Sequence, residues 1–217
     1  VRAVRESFAA SVLWGAEIAA EAPDGRLVVD FTPFLVRDAH GAVAAVSLAA
    51  TLATALAVVA AYTLGAPVDR ATMVALHLAL AGYGFMGMLA LGLSYVLVPM
   101  FALAESPPAH RAWASFALAT GALALSVPAA LGVLPGVLGV AAAGFGAVAA
   151  ILHVQLMRET LSRGLRRELG IGFRLARIAW AALVTSLALA LLLALDVPWP
   201  RLPTLFGATL IAGWLLS

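Results

Sequence analysis

The stretch MVALHLALAGYGFMGMLALGLSYVLVPMF, residues 73 to 101, contains no Asp, Glu, Lys or Arg, and its one ionisable group of intermediate pKa is His77. As a helix rising 1.5 Å per residue it exceeds the roughly 30 Å hydrocarbon thickness of a bilayer. A run of this length has one stable home. It spans lipid as a helix, because only a helix or a closed barrel satisfies every backbone donor and acceptor there. Apolar residues make up 64% of the 217, charged residues only 11%, and mean hydropathy is +1.04, so the remaining runs belong to the same class.

The predicted fold is all-α: a polytopic transmembrane helical bundle of about six membrane segments. These cover about 41–65, 71–98, 112–134, 136–157, 177–196 and 203–217. GAPVDR, ESPPAHR, LPG and DVPWPRLP supply the turn chemistry between them. The last run is only about 14 residues long, so it reads as a truncated span whose chain continues past Ser217. Residues 1–39 form a polar N-terminal segment, cytoplasmic or interfacial, and 40–217 the transmembrane domain. Within the former, SFAASVLWGAEIAA reads as an interfacial helix and RLVVDFTPFLVR as irregular or strand-like chain.

All 13 basic residues are arginine, in a chain dominated by Ala and Leu, which is the composition of a GC-rich bacterial genome. Six of them (158, 163, 166, 167, 174 and 177) crowd one loop. Basic loops stay in the cytoplasm. That rule places the 158–177 loop, the N-terminus and ESPPAHR inside, leaving Arg70 and Arg201 outside. The expected location is the bacterial inner membrane, multi-pass, with a cytoplasmic N-terminus. The pI near 9.7 reflects juxtamembrane arginines rather than a nucleic-acid surface, because no soluble basic domain is present to carry one. These arginines also suit anionic lipid headgroups. The absence of cysteine excludes disulfides, thiolate metal sites and covalent c-type haem attachment.

An ionisable residue within a span suggests function. At 100° per residue, the His77 face contains Met73, Ala81, Gly84, Met88, Leu91 and Tyr95. Ala81 and Gly84 would leave a shallow trough below the imidazole, the space a flat macrocycle needs, and neutral imidazole is a common haem axial ligand. The competing reading is a histidine hydrogen-bonded to a neighbouring helix, with the small residues allowing close contact. His153 reads as structural, at the end of a packing stripe of Gly139, Ala142, Gly146, Ala149 and Ala150. His40 and His110 read as solvated or capping groups, and Asp69 with Arg70 as a surface pair ahead of the alternative that they hold haem propionates. Phosphate loops, HExxH and nucleophile elbows are absent. The middles of the spans lack carboxylates, which disfavours a coupled permease.

His77-x6-Gly84-x2-Gly87-x4-Gly92-x2-Tyr95-x3-Pro99, closing on SYVLVPMF, resembles the second helix of haem-copper oxidase subunit I relatives. The pattern is nearest the nitric oxide reductase and C-family oxidase branches. LFGATLIAGWLLS resembles a segment of NnrS-type membrane haem proteins. The resemblance covers about a fifth of the chain. It implies a haem b ligated by His77, with Ala81, Gly84 and Met88 along the berth. The second ligand would lie beyond Ser217 or on a partner membrane subunit. The family's copper-binding histidines lie on helices six and later, and segment 203–217 holds no histidine, so only His77 carries over and no catalytic residue is assigned. The implied role is electron transfer, or haem and nitric oxide handling. The alternative is a cofactor-free scaffold or assembly subunit whose small-residue stripes bind partner helices.

Overall fold

The computed structural model describes residues 17–21, 27–165 and 170–215. Six helices follow a short hairpin: α1 Thr32–Thr63, α2 Arg70–Ala102, α3 Ala109–Ala130, α4 Pro135–Arg163, α5 Ile171–Ala194 and α6 Leu202–Leu215. The first five are long and apolar enough to cross a membrane, and α6 is a shorter apolar helix. The molecule is an all-α, multi-pass membrane bundle. Its outer surface supports this, since Leu52, Leu56, Val59, Leu93, Val148 and Ile178 are all exposed. In water such a surface would be an aggregation site, whereas in lipid it is the expected face.

Residues 17–20, expected at the end of an interfacial helix, instead form part of strand β1 (Glu17–Glu21). It pairs antiparallel with β2 (Leu27–Asp30), Glu17 opposite Asp30. The rest of that expected helix lies outside the described residues. Helix α1 also begins nine residues earlier than the hydropathy boundary. Pro33 sits in its first turn, where a missing N–H costs nothing. Of the stretch expected as irregular or strand-like, Leu27–Asp30 is strand but the part from Thr32 is helix. There Arg37 and Asp38 pair with each other at 2.7 Å on an exposed face, and the Arg37 guanidinium lies 4.9 Å from the Phe34 ring. Charge on one face does not prevent the other from packing. At the far ends, α4 runs to Arg163 and α5 begins at Ile171, so helical structure extends into the arginine-rich loop from both sides.

Sequential helices pack as neighbours, and α2 and α4 also meet across the bundle. The core runs through Val36, Leu91, Tyr95, Leu156, Met157, Trp180, Leu183 and Leu187, joined by Leu210 and Trp214 of α6. Glycine sets the closest approach. A Cβ on Gly92 would stand 2.6 Å from the Cβ of His40, and one on Gly84 would stand 2.6 Å from Ser47 Oγ. These two residues let α2 lie directly against α1. Gly146 plays the same part for α4, where a Cβ would meet Leu187 at 2.9 Å.

Helix α2 is not uniform. Ala79–Gly87 is π-helical, between α-helical Arg70–Leu78 and Met88–Ala102. Its i→i+5 bonding places more residues in each turn than the 3.6 of an α-helix. Side chains below the π segment therefore rotate away from the stripe extrapolated from His77.

The glycine contacts give a direct test. Gly92→Ala should destabilise the protein by about 1–3 kcal/mol, because the new methyl overpacks against helix backbone and His40. Gly41→Ala meets nothing within 4 Å and should be neutral or stabilising by up to about 1 kcal/mol. Thermal unfolding midpoints in one detergent will compare the two. Equal shifts would show that helix propensity, rather than the α1–α2 approach, governs both sites.

Candidate functional site

His77 lies seven residues into α2, so about 10 Å along its axis. The start of that helix is fixed by Asp69, whose carboxylate accepts from the Thr72 amide at 3.1 Å and the Thr72 hydroxyl at 2.5 Å. These hydrogen bonds, the hydroxyl's first, hold the Asp69 carboxyl below its ordinary pKa. Arg70 does not pair with Asp69 in the expected way. Its guanidinium stacks 4.3 Å from the Tyr62 ring and donates to the Ala61 carbonyl at 3.4 Å, tying the start of α2 to the end of α1.

The half-buried imidazole of His77 faces α1. Its Nδ1 is 3.2 Å from the Thr51 carbonyl oxygen and 3.2 Å from Thr54 Oγ1. Thr54 already donates its own proton to Thr51 O at 2.9 Å. A carbonyl only accepts, so Nδ1 of His77 carries a proton. No protein hydrogen bond engages Nε2 among the described residues. Metal-binding imidazoles commonly have one ring nitrogen anchored in this way, and so do histidines packed within a helix bundle, as His40 is on Val36 O.

The rest of the expected berth does not assemble around it. Ser47 fills the space over Gly84. Met88 is buried and lines a 230 Å³ apolar cavity with Tyr83, Gly87, Gly146 and Leu187, between α2, α3, α4 and α5, and His77 is not among the residues around it. Of the three residues expected along the berth, Ala81 is half-buried, while Gly84 and Met88 are buried. Gly84 still shares the α1-facing side with His77 but is covered by Ser47, while the π segment breaks the 100° register that had aligned His77 with Met88.

At the opposite end of the bundle, the structure brings together three residues that the sequence reading kept apart. His40, Tyr95 and His153 are each 1% exposed or less. Tyr95 lies between the two imidazoles, with ring centroids 5.6 Å from His40 and 5.1 Å from His153. Each histidine is anchored by one nitrogen. His40 Nδ1 donates to the Val36 carbonyl at 2.7 Å. Ser94 gives its proton to Leu91 O at 2.6 Å, so its oxygen accepts from His153 Nε2 at 3.0 Å. This leaves His153 Nδ1 and the Tyr95 hydroxyl buried with no hydrogen-bond partner within 3.5 Å among the described residues. His40 is thus a core residue of α1 rather than a solvated cap. One signal was available in the sequence: Gly92, three residues before Tyr95, is the small residue against which His40 packs. Beyond this cluster, Arg111 forms a two-point pair with Glu159 at 2.7 and 3.1 Å, fastening α3 to α4. No group of three or more His, Cys, Asp or Glu side chains with metal-site geometry occurs among the described residues.

Comparison with known proteins adds no constraint: no family model, curated protein or solved structure matches this chain.

The buried cluster separates two energetic cases. Tyr95→Phe removes a hydroxyl with no partner within 3.5 Å among the described residues and should leave stability within about 1 kcal/mol of wild type, or raise it. Ser94→Ala strands the His153 N–H in the core and should cost about 1–3 kcal/mol. Unfolding midpoints of the two variants test this. A Tyr95→Phe loss as large as that of Ser94→Ala would mean the phenol is bonded in the folded protein.

Proposed function

We propose that the chain is an integral membrane haem b-binding protein of the bacterial inner membrane, related to subunit I of the haem-copper oxidases or to NnrS-type haem proteins. Its role would be electron transfer, or haem and nitric oxide handling. The observation that carries the reading is the orientation of His77. Thr51 and Thr54 hold its Nδ1 side, which orients the ring and directs a bare Nε2 away from α1. An imidazole inside a membrane helix with one nitrogen free of hydrogen bonds has the donor geometry of an axial ligand. When bound, haem iron supplies one-electron chemistry. The chain's part is to present His77 from an apolar wall, with Ala81 beside it on α2. Gly84 and Met88 fall outside this berth, because Ser47 covers one and the other faces the cavity on the far side of the helix.

The cofactor-free scaffold reading has two observations in its favour, the first being that His77 is hydrogen-bonded to Thr51 and Thr54 of α1, as that reading expects. The second is that contact with Ser47 accounts for Gly84 without any ligand. Its partner-binding stripes fare less well, since Gly84 and Gly146 are both spent on packing within the chain.

The full chain, purified from haem-replete membranes, should show a reduced-minus-oxidised b-type spectrum. His77→Ala should lower haem per chain about tenfold or more, while His153→Ala should retain it. A colourless wild type would remove the haem reading. So would a His77→Ala variant that keeps the full spectrum.

Orientation follows from charge. The N-terminus and the arginine-rich loop between α4 and α5 lie in the cytoplasm, with Asp69 and Arg201 on the opposite face. Single cysteines at positions 69 and 166, in a chain that has none of its own, should react with an impermeant thiol reagent from opposite sides of the membrane. Periplasmic labelling at 166 would reverse the assignment.

A further inference from the structure

A groove of about 670 Å³ opens between α4 and α5 at the arginine-rich end of the bundle. Its mouth carries Arg158, Ser162 and Arg177, and its deeper wall is Val154, Trp180 and Val184. Along α5 the step from Arg177 to Val184 is about 10 Å, so the groove passes from charged to apolar within one headgroup-to-chain distance. Both arginines are exposed, and neither has a carboxylate within ion-pairing distance among the described residues. The neighbouring acid, Glu159, is already committed to Arg111 at 2.7 Å. Ser162 donates its proton to the Glu159 carbonyl at 2.7 Å, which leaves its oxygen as an acceptor and the arginines as the donors at this mouth. Two guanidinium groups above an apolar cleft match a phosphodiester above an acyl chain. A free phosphate would use only the upper half of such a site.

We propose that the groove between α4 and α5 is a binding site for one anionic phospholipid, with Arg158 and Arg177 on the phosphate and an acyl chain along Val154, Trp180 and Val184. The site is separate from His77, which lies at the other end of the bundle, and does not depend on haem. Bound there, the lipid would join α4 to α5 where each helix leaves the membrane.

The full chain, in mild detergent, would be mixed with equal amounts of phosphatidylglycerol and phosphatidylcholine and then desalted. Retained lipid is counted per chain by native mass spectrometry. Wild type should retain phosphatidylglycerol in several-fold preference. Arg158→Gln with Arg177→Gln should lower that retention about tenfold. Arg174→Gln, a charge loss on the same helix outside the groove, should leave it unchanged. Ala181→Trp fills the apolar cleft with both arginines in place and should also lower retention, so the proposal stays testable if the double variant fails to fold. Equal retention of the two lipids would overturn the proposal, as would wild-type retention in either groove variant. Full displacement of phosphatidylglycerol by millimolar inorganic phosphate would mark a phosphate site and overturn it as well.

Discussion

The closeness of α2 to α1 is the constraint on which the rest of the arrangement depends. Between helices in lipid there is little hydrophobic driving force, because acyl chains are as apolar as leucine. Close van der Waals contact and interhelical hydrogen bonds must hold the pair. Gly84 and Gly92 provide the contact by letting Ser47 and His40 reach the α2 backbone. The hydrogen bonds follow from it. Once the axes are this close, His77 Nδ1 reaches Thr51 O and Thr54 Oγ1, and His40 is pressed against Tyr95. One line of contact thus positions the polar groups at both ends of the bundle.

Those two ends have different characters. The His77 end is sparsely charged, with Asp69 capping α2 and Arg70 stacked on Tyr62. The other end carries Arg37, Arg111, Arg158, Arg163 and Arg177, and only some of these are answered by carboxylates: Asp38 for Arg37 and Glu159 for Arg111. Between the ends, α2 changes from α to π geometry at the level of the 230 Å³ cavity, and Ala79, Tyr83 and Gly87 of the π segment line that cavity. Tyr83 is drawn across the bundle to donate to Ser186 of α5 at 3.0 Å. A stretch of π-helix widens the backbone spiral and is common where a helix serves more than packing.

Class and span number were legible in the residues because they follow from local quantities. Run length against bilayer thickness and backbone satisfaction in lipid require no knowledge of neighbours. Boundaries were less legible. Arg37 and Asp38 suppress hydropathy at the start of α1, yet they sit on an outward face of a helix that is already formed. Strand β1 was missed for a related reason, since pairing with β2 depends on a partner segment rather than on the periodicity of residues 7–20.

The candidate site divides along the same physical line. Sequence alone identified His77 as an imidazole inside a membrane helix, because lipid makes any such group costly unless it has a partner. It also singled out the glycines of α2 as close-packing residues. Only the tertiary structure decided which helix each glycine serves, which nitrogen of His77 is held and which is bare, and that His40, Tyr95 and His153 share one buried cluster. A helical stripe extrapolated at 100° per residue cannot register a π segment. Nor can spacing within one helix report a contact made by another. Tautomer, burial and cavity shape are set by atoms distant in the chain, so they come into being only when the helices pack.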